Sequence, residues 1–154
     1  MLPEQVLITD VTLRDGLQNE PAVLTVAQKA RIAAALRGTG VRSIEAGSFV
    51  RPDLVPQLAG TGELLATLPR VEGISLVALA PNLRGATDAL AAGVDEVRFV
   101  LSASEGHSRA NTGRSRAEGI ERVGEAVRRT RPGGPACGSR WRSRQPSSAR
   151  STAP

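Results

Sequence analysis

Residues 6–40 read VLITDVTLRDGLQNEPAVLTVAQKARIAAALRGTG and contain one complete pattern of strand, loop and helix. The run VLITDV at the start is short and apolar, which predicts a buried strand. A polar loop follows, and apolar residues then recur at helical spacing up to a glycine stop. This order is the building unit of a parallel sheet, because parallel strands need a long crossover connection.

The same order recurs three times before residue 131. The later strands are predicted within VRSIEAGSFV (41–50), GISLVALAPN (73–82) and VDEVRFVLSAS (94–104). Helical patterns follow them in residues 52–68, 83–93 and 116–130, and Asp53 is expected early in the first of these helices. These four units predict one α/β domain over residues 1–130, with helices covering a parallel sheet.

Two architectures contain this unit, an open doubly wound sheet and a (β/α)₈ TIM barrel. No G-x-G-x-x-G phosphate loop follows any predicted strand, which argues against the first. Polar residues instead follow the strands, where barrel enzymes keep their chemistry; they are Arg14, Asp15, Glu45, Ser48, Asn82, Ser102, Ser104 and Glu105. Since a complete barrel takes roughly 250 residues, the four units predict its N-terminal half.

The excess positive charge lies in one segment of the chain. The net charge is +5, yet residues 1–130 hold 15 basic and 15 acidic side chains, and residues 131–154 hold five arginines and no acid. This tail is rich in Pro, Gly and Ser and lacks Leu, Ile, Val, Met and Phe, so we expect it to be disordered. Its RWRSR run (140–144) is a weak nucleic-acid signal, and we do not expect a nucleic-acid partner.

The remaining composition is typical of a globular protein from a reducing compartment. Apolar residues make up 40% of the chain, and no apolar run approaches the roughly 20 residues of a bilayer span. The N-terminus lacks the pattern of a signal peptide, so we expect a cytoplasmic protein without a membrane partner. One cysteine, Cys137, and one histidine, His107, exclude an internal disulfide and a Cys/His metal cluster.

The segment VTLRDGLQNE (11–20) places charged side chains directly after the first strand. Asp15 is a candidate ligand for a hard cation such as Mg²⁺ or Mn²⁺, and the planar donor fork of Arg14 suits a carboxylate or carbonyl group. Glu45 is a candidate partner that orients Arg14. An equally good interpretation makes these three residues a structural ion-pair network at a barrel rim. His107 lies in a stretch rich in Ser and Arg, where we expect a solvated loop residue rather than a general base.

Four ordered blocks resemble 3-hydroxy-3-methylglutaryl-CoA lyase. They read TLRDGLQNEP, IEAGSFVRPDLVPQLAGTGELL, LAPNLRGATDALAAGVDEV and LSASEGHSRANTGRSRAEGIER. The resemblance runs from about Val6 to Thr130 and implies membership of the metal-dependent lyase and synthase barrels that are named for an Asp, Arg and Glu triad. Leu17 distinguishes the branch, because the lyases carry RDGLQNE and the Claisen-type synthases usually carry RDGEQ.

The resemblance implies a role for each matching residue. Asp15 is implied to bind a divalent metal, Mg²⁺ or Mn²⁺, and Arg14 to contact the carbonyl oxygen of an acyl-CoA substrate. Glu45 completes the triad, and Gln18 and Ser48 match positions that line the acyl pocket. The implied reaction is the retro-Claisen cleavage of 3-hydroxy-3-methylglutaryl-CoA to acetyl-CoA and acetoacetate. A homo-oligomer is compatible with the complete protein.

The sequence also departs from the family. The His-x-His pair and the Asn that supply further metal ligands, and the mobile Gly-Cys loop, have no counterpart here. Cys137 stands outside that loop context, and Thr12 with Leu13 replaces the usual Gly-Pro and resembles the synthases. We therefore expect the 154-residue chain to be inactive as a lyase. Two alternatives stay open, a synthase that condenses acetyl-CoA with a 2-oxo acid and a non-enzymatic protein whose basic tail binds a partner.

The composition changes sharply near Thr130, and a reading-frame change is one explanation. If serine is encoded by TCN and arginine by CGN, the shifted frame across residues 138–147 reads as alternating small and apolar residues, which is the pattern of a buried strand. The other explanation is a genuine divergent tail, and the underlying DNA sequence distinguishes the two. A half barrel also leaves apolar strand edges and helix faces open, which predicts self-association.

Overall fold

The computed structural model describes residues 6–131, in which four strands form one parallel sheet. The strands are β1 (Thr9–Asp10), β2 (Ser43–Ser48), β3 (Ser75–Leu79) and β4 (Glu96–Arg98). Their order in the sheet is β1-β2-β3-β4, the same as in the chain, and every neighbouring pair is parallel. A doubly wound sheet reverses its order at a switch point, so this sequential order favours the barrel.

Five α-helices lie in the same part of the chain. They are α1 (Val26–Arg37), α2 (Thr61–Thr67), α3 (Leu83–Ala91), α4 (Glu105–Thr112) and α5 (Arg116–Thr130). The sequence pattern predicted α1, α3 and α5 at these places. Helix α4 was not predicted, and it carries His107, which therefore lies on a helix rather than in the expected loop. Its start is explained by Ser104, whose hydroxyl accepts a hydrogen bond from the backbone N–H of His107 and caps the helix.

The first strand is shorter than the predicted run 6–11. Only two residue pairs join β1 to β2, Thr9 to Ser43 and Asp10 to Ile44. The preceding apolar residues are exposed, namely Val6, Leu7 and Ile8. The apolar pattern predicted a buried strand, but these three residues precede β1, which is an edge of the described sheet, and they line an open cavity instead of packing into the core.

The second helix is also shorter than its predicted range 52–68. Gly60 adopts the left-handed conformation with φ +75° immediately before α2, and a 3₁₀ turn at Pro56–Leu58 precedes it. A Cβ at Gly60 would lie 2.8 Å from Val26 Cγ2, so the chain both turns and packs closely there. The expectation for Asp53 was wrong: it lies in the loop before the helix and pairs with Arg51, whose hydrogen bond lowers the pKa of Asp53.

One apolar core joins the sheet to the helices. Its most deeply buried members come from the strands, from α1 and α2, and from the turn after β1; they include Leu13, Ala33, Ile44, Leu64, Leu76 and Ala78. Both faces of β2 are buried, since all six of its residues are inaccessible. This burial on both faces is typical of a parallel sheet that is covered by helices. None of the helices in residues 6–131 is long and apolar enough to span a membrane.

Gly47 in β2 packs closely against Thr61 at the start of α2. A Cβ at Gly47 would lie 2.8 Å from Thr61 Cγ2 and closer still to Thr61 Oγ1. We therefore expect Gly47→Ala to lower the free energy of unfolding by roughly 1–3 kcal/mol through overpacking, as measured by urea denaturation. Gly106→Ala is the matched control, because a Cβ there meets open space. Equal stability of the two variants would contradict this packing.

Lys29 on α1 is the chain's only lysine, and it is buried. Its Nζ donates a hydrogen bond of 2.7 Å to the carbonyl oxygen of Ala59, and burial lowers the pKa of Lys29. In the pH range between this lowered pKa and the ordinary value of 10.5, the unfolded chain binds more protons than the folded one. The contribution of Lys29 to the free energy of unfolding is therefore lowest at pH values below its lowered pKa, and it rises as the pH increases toward 10.5.

We therefore expect the free energy of unfolding of the parent chain to rise with increasing pH, compared with that of the Lys29→Met variant. Urea denaturation of both proteins across pH 8 to 10.5 measures it. The chain has no tyrosine, and contributions from Cys137 and the N-terminus are common to both proteins and cancel in the difference. Parallel pH profiles for the two proteins would refute the predicted shift.

The tail predictions fall outside the part of the chain that the structure describes. Helix α5 ends at Thr130, and Arg131 is the last residue that the structure describes. Cys137 and the RWRSR run both lie beyond it. The disorder predicted for residues 131–154, the domain boundary near Thr130 and the frame change therefore stay predictions.

Candidate active site

A single π-helical turn, Thr12–Gly16, follows β1 at the carboxyl end of the sheet. The backbone N–H groups of Arg14, Asp15 and Gly16 all donate to the carbonyl oxygen of Val11, at 3.1, 2.8 and 3.1 Å. Three donors on one carbonyl make a tight turn, and this turn brings two charged side chains together at the end of the strand.

The turn is held at both ends. The Asp10 carboxylate accepts hydrogen bonds from the backbone N–H and the hydroxyl of Thr12, at 3.0 and 3.2 Å. Leu13 and Leu17 are buried in the core on the other side. The spacing of these two leucines explains why the segment curls, since both reach the core only if the intervening polar residues face away from it.

Arg14 contacts both carboxylates of the predicted triad. Its Nε donates to Glu45 Oε1 at 2.5 Å, and its Nη1 donates to Asp15 Oδ1 at 2.7 Å. The Glu45 side chain is only 3% exposed, whereas that of Asp15 is 55% exposed. The three residues that the sequence singled out thus lie in one contact network, with Glu45 below Arg14 in the sheet and Asp15 at the surface.

A fourth charged residue, Arg98, belongs to this network and was missed by the sequence analysis. Its Nη1 donates to Glu45 Oε2 at 3.2 Å, and its Nε donates to Glu96 Oε1 at 2.7 Å. The hydrogen bond with Glu96 is the main cause that raises the pKa of Arg98. A signal was present in the sequence, because Arg98 is a lone charge inside the apolar run VRFVL.

The other predicted residues form no hydrogen bond with this network. Ser48 ends β2 and is buried, and its hydroxyl accepts from the backbone N–H of Val50 at 3.3 Å. Gln18 is exposed just after the turn. His107 is exposed, and its Nδ1 lies 2.7 Å from Ser102 Oγ, which gives it a local partner rather than a place beside Arg14.

The described residues do not make a complete divalent-metal site. Within residues 6–131, no group of three or more His, Cys, Asp or Glu side chains is placed to hold a metal ion. Asp15 offers one exposed carboxylate, and both oxygens of Glu45 accept hydrogen bonds from arginines. One carboxylate does not fix the coordination geometry of Mg²⁺ or Mn²⁺.

The Thr12–Gly16 turn, β2 and the Arg14–Glu45 ion pair all lie in a segment that matches a known protein family. The family model described as HMGL-like matches residues 5–148. The chain belongs to the HMGL-like family. This match continues past Thr130, whereas the resemblance read from the sequence ended there.

The relatives that this chain resembles include two bacterial proteins with lyase names. The Pseudomonas aeruginosa 3-hydroxy-3-isohexenylglutaryl-CoA/hydroxy-methylglutaryl-CoA lyase is 44% identical over 121 residues, which is 79% of this chain and 40% of that protein. The hydroxymethylglutaryl-CoA lyase of Pseudomonas mevalonii is 45% identical over 125 residues, which is 81% of this chain and 42% of that protein. This member of the HMGL-like family therefore spans about two fifths of the length of these relatives.

Two solved structures give the same result for the fold. The HMG-CoA lyase from Brucella melitensis superposes with a TM-score of 0.77 at 42% identity, covering 81% of this chain and 44% of that one. The HMG-CoA lyase from Acinetobacter baumannii, in complex with coenzyme A and 3-methylmalate, superposes with a TM-score of 0.78 at 34% identity, covering 85% and 44%. These matches confirm the fold as the N-terminal half of a (β/α)₈ barrel.

Proposed function

We propose that this chain supplies the N-terminal half of an active site that cleaves 3-hydroxy-3-methylglutaryl-CoA to acetyl-CoA and acetoacetate. The observation that supports it most is the 2.5 Å contact between Arg14 Nε and the buried Glu45, with Asp15 on the other side of the same guanidinium. The lyase names of relatives that are about 45% identical agree with this activity. Leu17 after the RDG motif favours a lyase over a synthase.

The reaction sets the demands on these residues. The proton of the tertiary hydroxyl leaves, the carbon–carbon bond breaks, and the electron pair moves into the enolate of acetyl-CoA before a proton arrives at its carbon. Negative charge therefore grows on a carbonyl oxygen in the transition state. A fixed guanidinium donor stabilises such charge better than mobile water does.

Arg14 has the donors for this role. A guanidinium carries five N–H groups, and in residues 6–131 two carboxylates engage Arg14 through Nε and Nη1. The others can face the oxygen of an acyl-CoA substrate. Glu45 holds the guanidinium in place from below, and Gln18 and Ser48 are proposed to line the acyl pocket.

Asp15 is proposed as one ligand of a divalent metal, Mg²⁺ or Mn²⁺, that the family resemblance implies. Its exposed carboxylate suits a hard cation, but the described residues contribute no complete coordination sphere. We therefore expect the 154-residue chain to bind Mn²⁺ with a dissociation constant weaker than about 1 mM, as measured by the electron paramagnetic resonance signal of free Mn²⁺. Micromolar binding that is lost in Asp15→Asn would show that further ligands are present in this chain.

A chimera tests the proposed activity. Residues 1–131 are joined to the part of the P. mevalonii lyase that follows its matched segment, and acetoacetate formation from 3-hydroxy-3-methylglutaryl-CoA is measured. The same chimera is given acetyl-CoA and a 2-oxo acid, which are the substrates of a synthase. Cleavage without condensation supports the lyase, and condensation without cleavage would identify the synthase instead.

A further inference from the structure

Arg98 connects strands that are not neighbours in the sheet. It stands at the end of β4, and its Nη2 donates to Thr9 Oγ1 on β1 at 3.2 Å. Its Nη1 donates to Glu45 on β2 at 3.2 Å, so the side chain reaches past β3. Thr9 Oγ1 in turn donates to Ser43 Oγ at 3.0 Å. This one guanidinium therefore ties both edge strands of the described sheet to the buried carboxylate.

Each nitrogen of Arg98 has a separate acceptor. Nε donates to Glu96, which lies two residues earlier on the same strand, while the two Nη atoms donate to Glu45 and Thr9. The guanidinium is planar and rigid, so three acceptors in three directions fix its orientation. Its side chain is 33% exposed, whereas that of Glu45 is 3% exposed.

The two oxygens of Glu45 are divided between two arginines. Oε1 accepts from Arg14, and Oε2 accepts from Arg98. The last torsion of a glutamate side chain is broad, so one hydrogen bond alone leaves the carboxylate free to rotate. A second fixed donor removes that freedom and directs Oε1 toward Arg14.

We propose that Arg98 is a positioning residue, which fixes the Glu45 carboxylate and thereby holds the Arg14 guanidinium in place at the carboxyl end of the sheet. Its consequence for catalysis rests on the function proposed above. The positioning itself does not, because it is a property of contacts within residues 6–131. A structural tether between strands would stabilise the sheet without ordering Arg14, and this difference can be measured.

The test uses the complete 154-residue chain and the NMR signal of the Arg14 Nε–H group. In Arg98→Met we expect its exchange with solvent to accelerate by at least about tenfold, since the hydrogen bond to a charged acceptor loosens. Arg98→Lys keeps the charge but offers a single nitrogen, so we expect a similar acceleration. Arg70→Met is the matched control, because Arg70 also forms a long-range ion pair, at 2.7 Å to Asp95 just before β4. It should leave the Arg14 signal unchanged.

Thr9→Val provides a second variant in case the Arg98 variants do not fold. It removes an acceptor of Arg98 on β1 and keeps the shape of the side chain, so we expect a smaller acceleration in the same direction. Unchanged exchange in folded Arg98→Met, or in Thr9→Val if the Arg98 variants unfold, overturns the proposal. If exchange of the Arg14 Nε–H group is unchanged in Arg98→Lys but faster in Arg98→Met, a positive charge near Glu45 is sufficient. That result overturns positioning by the planar guanidinium. None of these readouts depends on lyase activity, so the proposed function can fail while this inference stands.

Discussion

Arg14→Met in the chimera is expected to lower kcat for 3-hydroxy-3-methylglutaryl-CoA cleavage by about 10²- to 10³-fold, the loss typical of removing one donor to a developing oxyanion. The KM should change much less, because the lost hydrogen bond is strongest in the transition state. Methionine keeps the apolar stem of Arg14 and removes only the guanidinium. Initial rates of acetoacetate formation over a range of substrate concentrations measure both parameters.

Arg84→Met is the control for this substitution. Arg84 is an almost fully exposed residue of α3 whose nearest acid is Asp88, 4.0 Å away. It should leave both kcat and KM unchanged. A folded Arg14→Met chimera with the kcat of the parent would show that Arg14 belongs to a structural ion-pair network and not to the reaction.

Glu45→Ala should cause the second large effect, on stability. Glu45 is buried between Arg14 and Arg98, and its loss leaves two guanidinium groups without their shared acceptor. Removing one partner of a buried ion pair costs about 3 kcal/mol or more. We therefore expect the free energy of unfolding of the 154-residue chain to fall by about this amount in urea denaturation, which is a large share of a typical domain's stability.

Glu125→Ala is the comparison for Glu45→Ala. Glu125 forms an exposed pair with Arg129 one turn further along α5, at 3.4 Å. Such a pair contributes about 0.3–0.5 kcal/mol, so this variant should be close to the parent. If Glu45→Ala were as stable as Glu125→Ala, the Arg14, Glu45 and Arg98 network would not hold this end of the sheet together.

The sheet and most helices could be predicted because their signals are local. Helical spacing in residues 26–37 and 116–130 predicted both helices. It did not predict the buried side of α5, since Ile120 and Val127 are exposed and Ala126 and Thr130 are buried. Four repeated units with crossover connections predicted the parallel sheet, and the barrel prediction implied its sequential strand order. Packing at particular sites decided the rest: Gly60 next to Val26 shortened α2, and the edge position of β1 left Val6 to Ile8 exposed.

The site could be predicted only where a motif names its residues. Arg14, Asp15 and Glu45 were identified as polar residues expected after strands and from the resemblance. Glu45 instead lies within β2, and the structure places the three residues in contact. Arg98 was missed because its importance depends on contacts with Glu45 and Thr9, which lie 53 and 89 residues away in the sequence. Nothing in the spacing of a single chain reports such a pairing. The roles of Gln18 and Ser48 stay predictions that substitution in the chimera can test.

We propose that residues 6–131 carry half of a lyase site in a geometry that another half can complete. Acetoacetate formation by the chimera, compared with the 154-residue chain under the same conditions with Mg²⁺ or Mn²⁺, tests it most directly. We predict that the chimera cleaves 3-hydroxy-3-methylglutaryl-CoA, that Arg14→Met lowers its kcat by about 10²- to 10³-fold, and that the chain alone forms no measurable product. A folded chimera without activity, or turnover by the chain alone, would contradict the account.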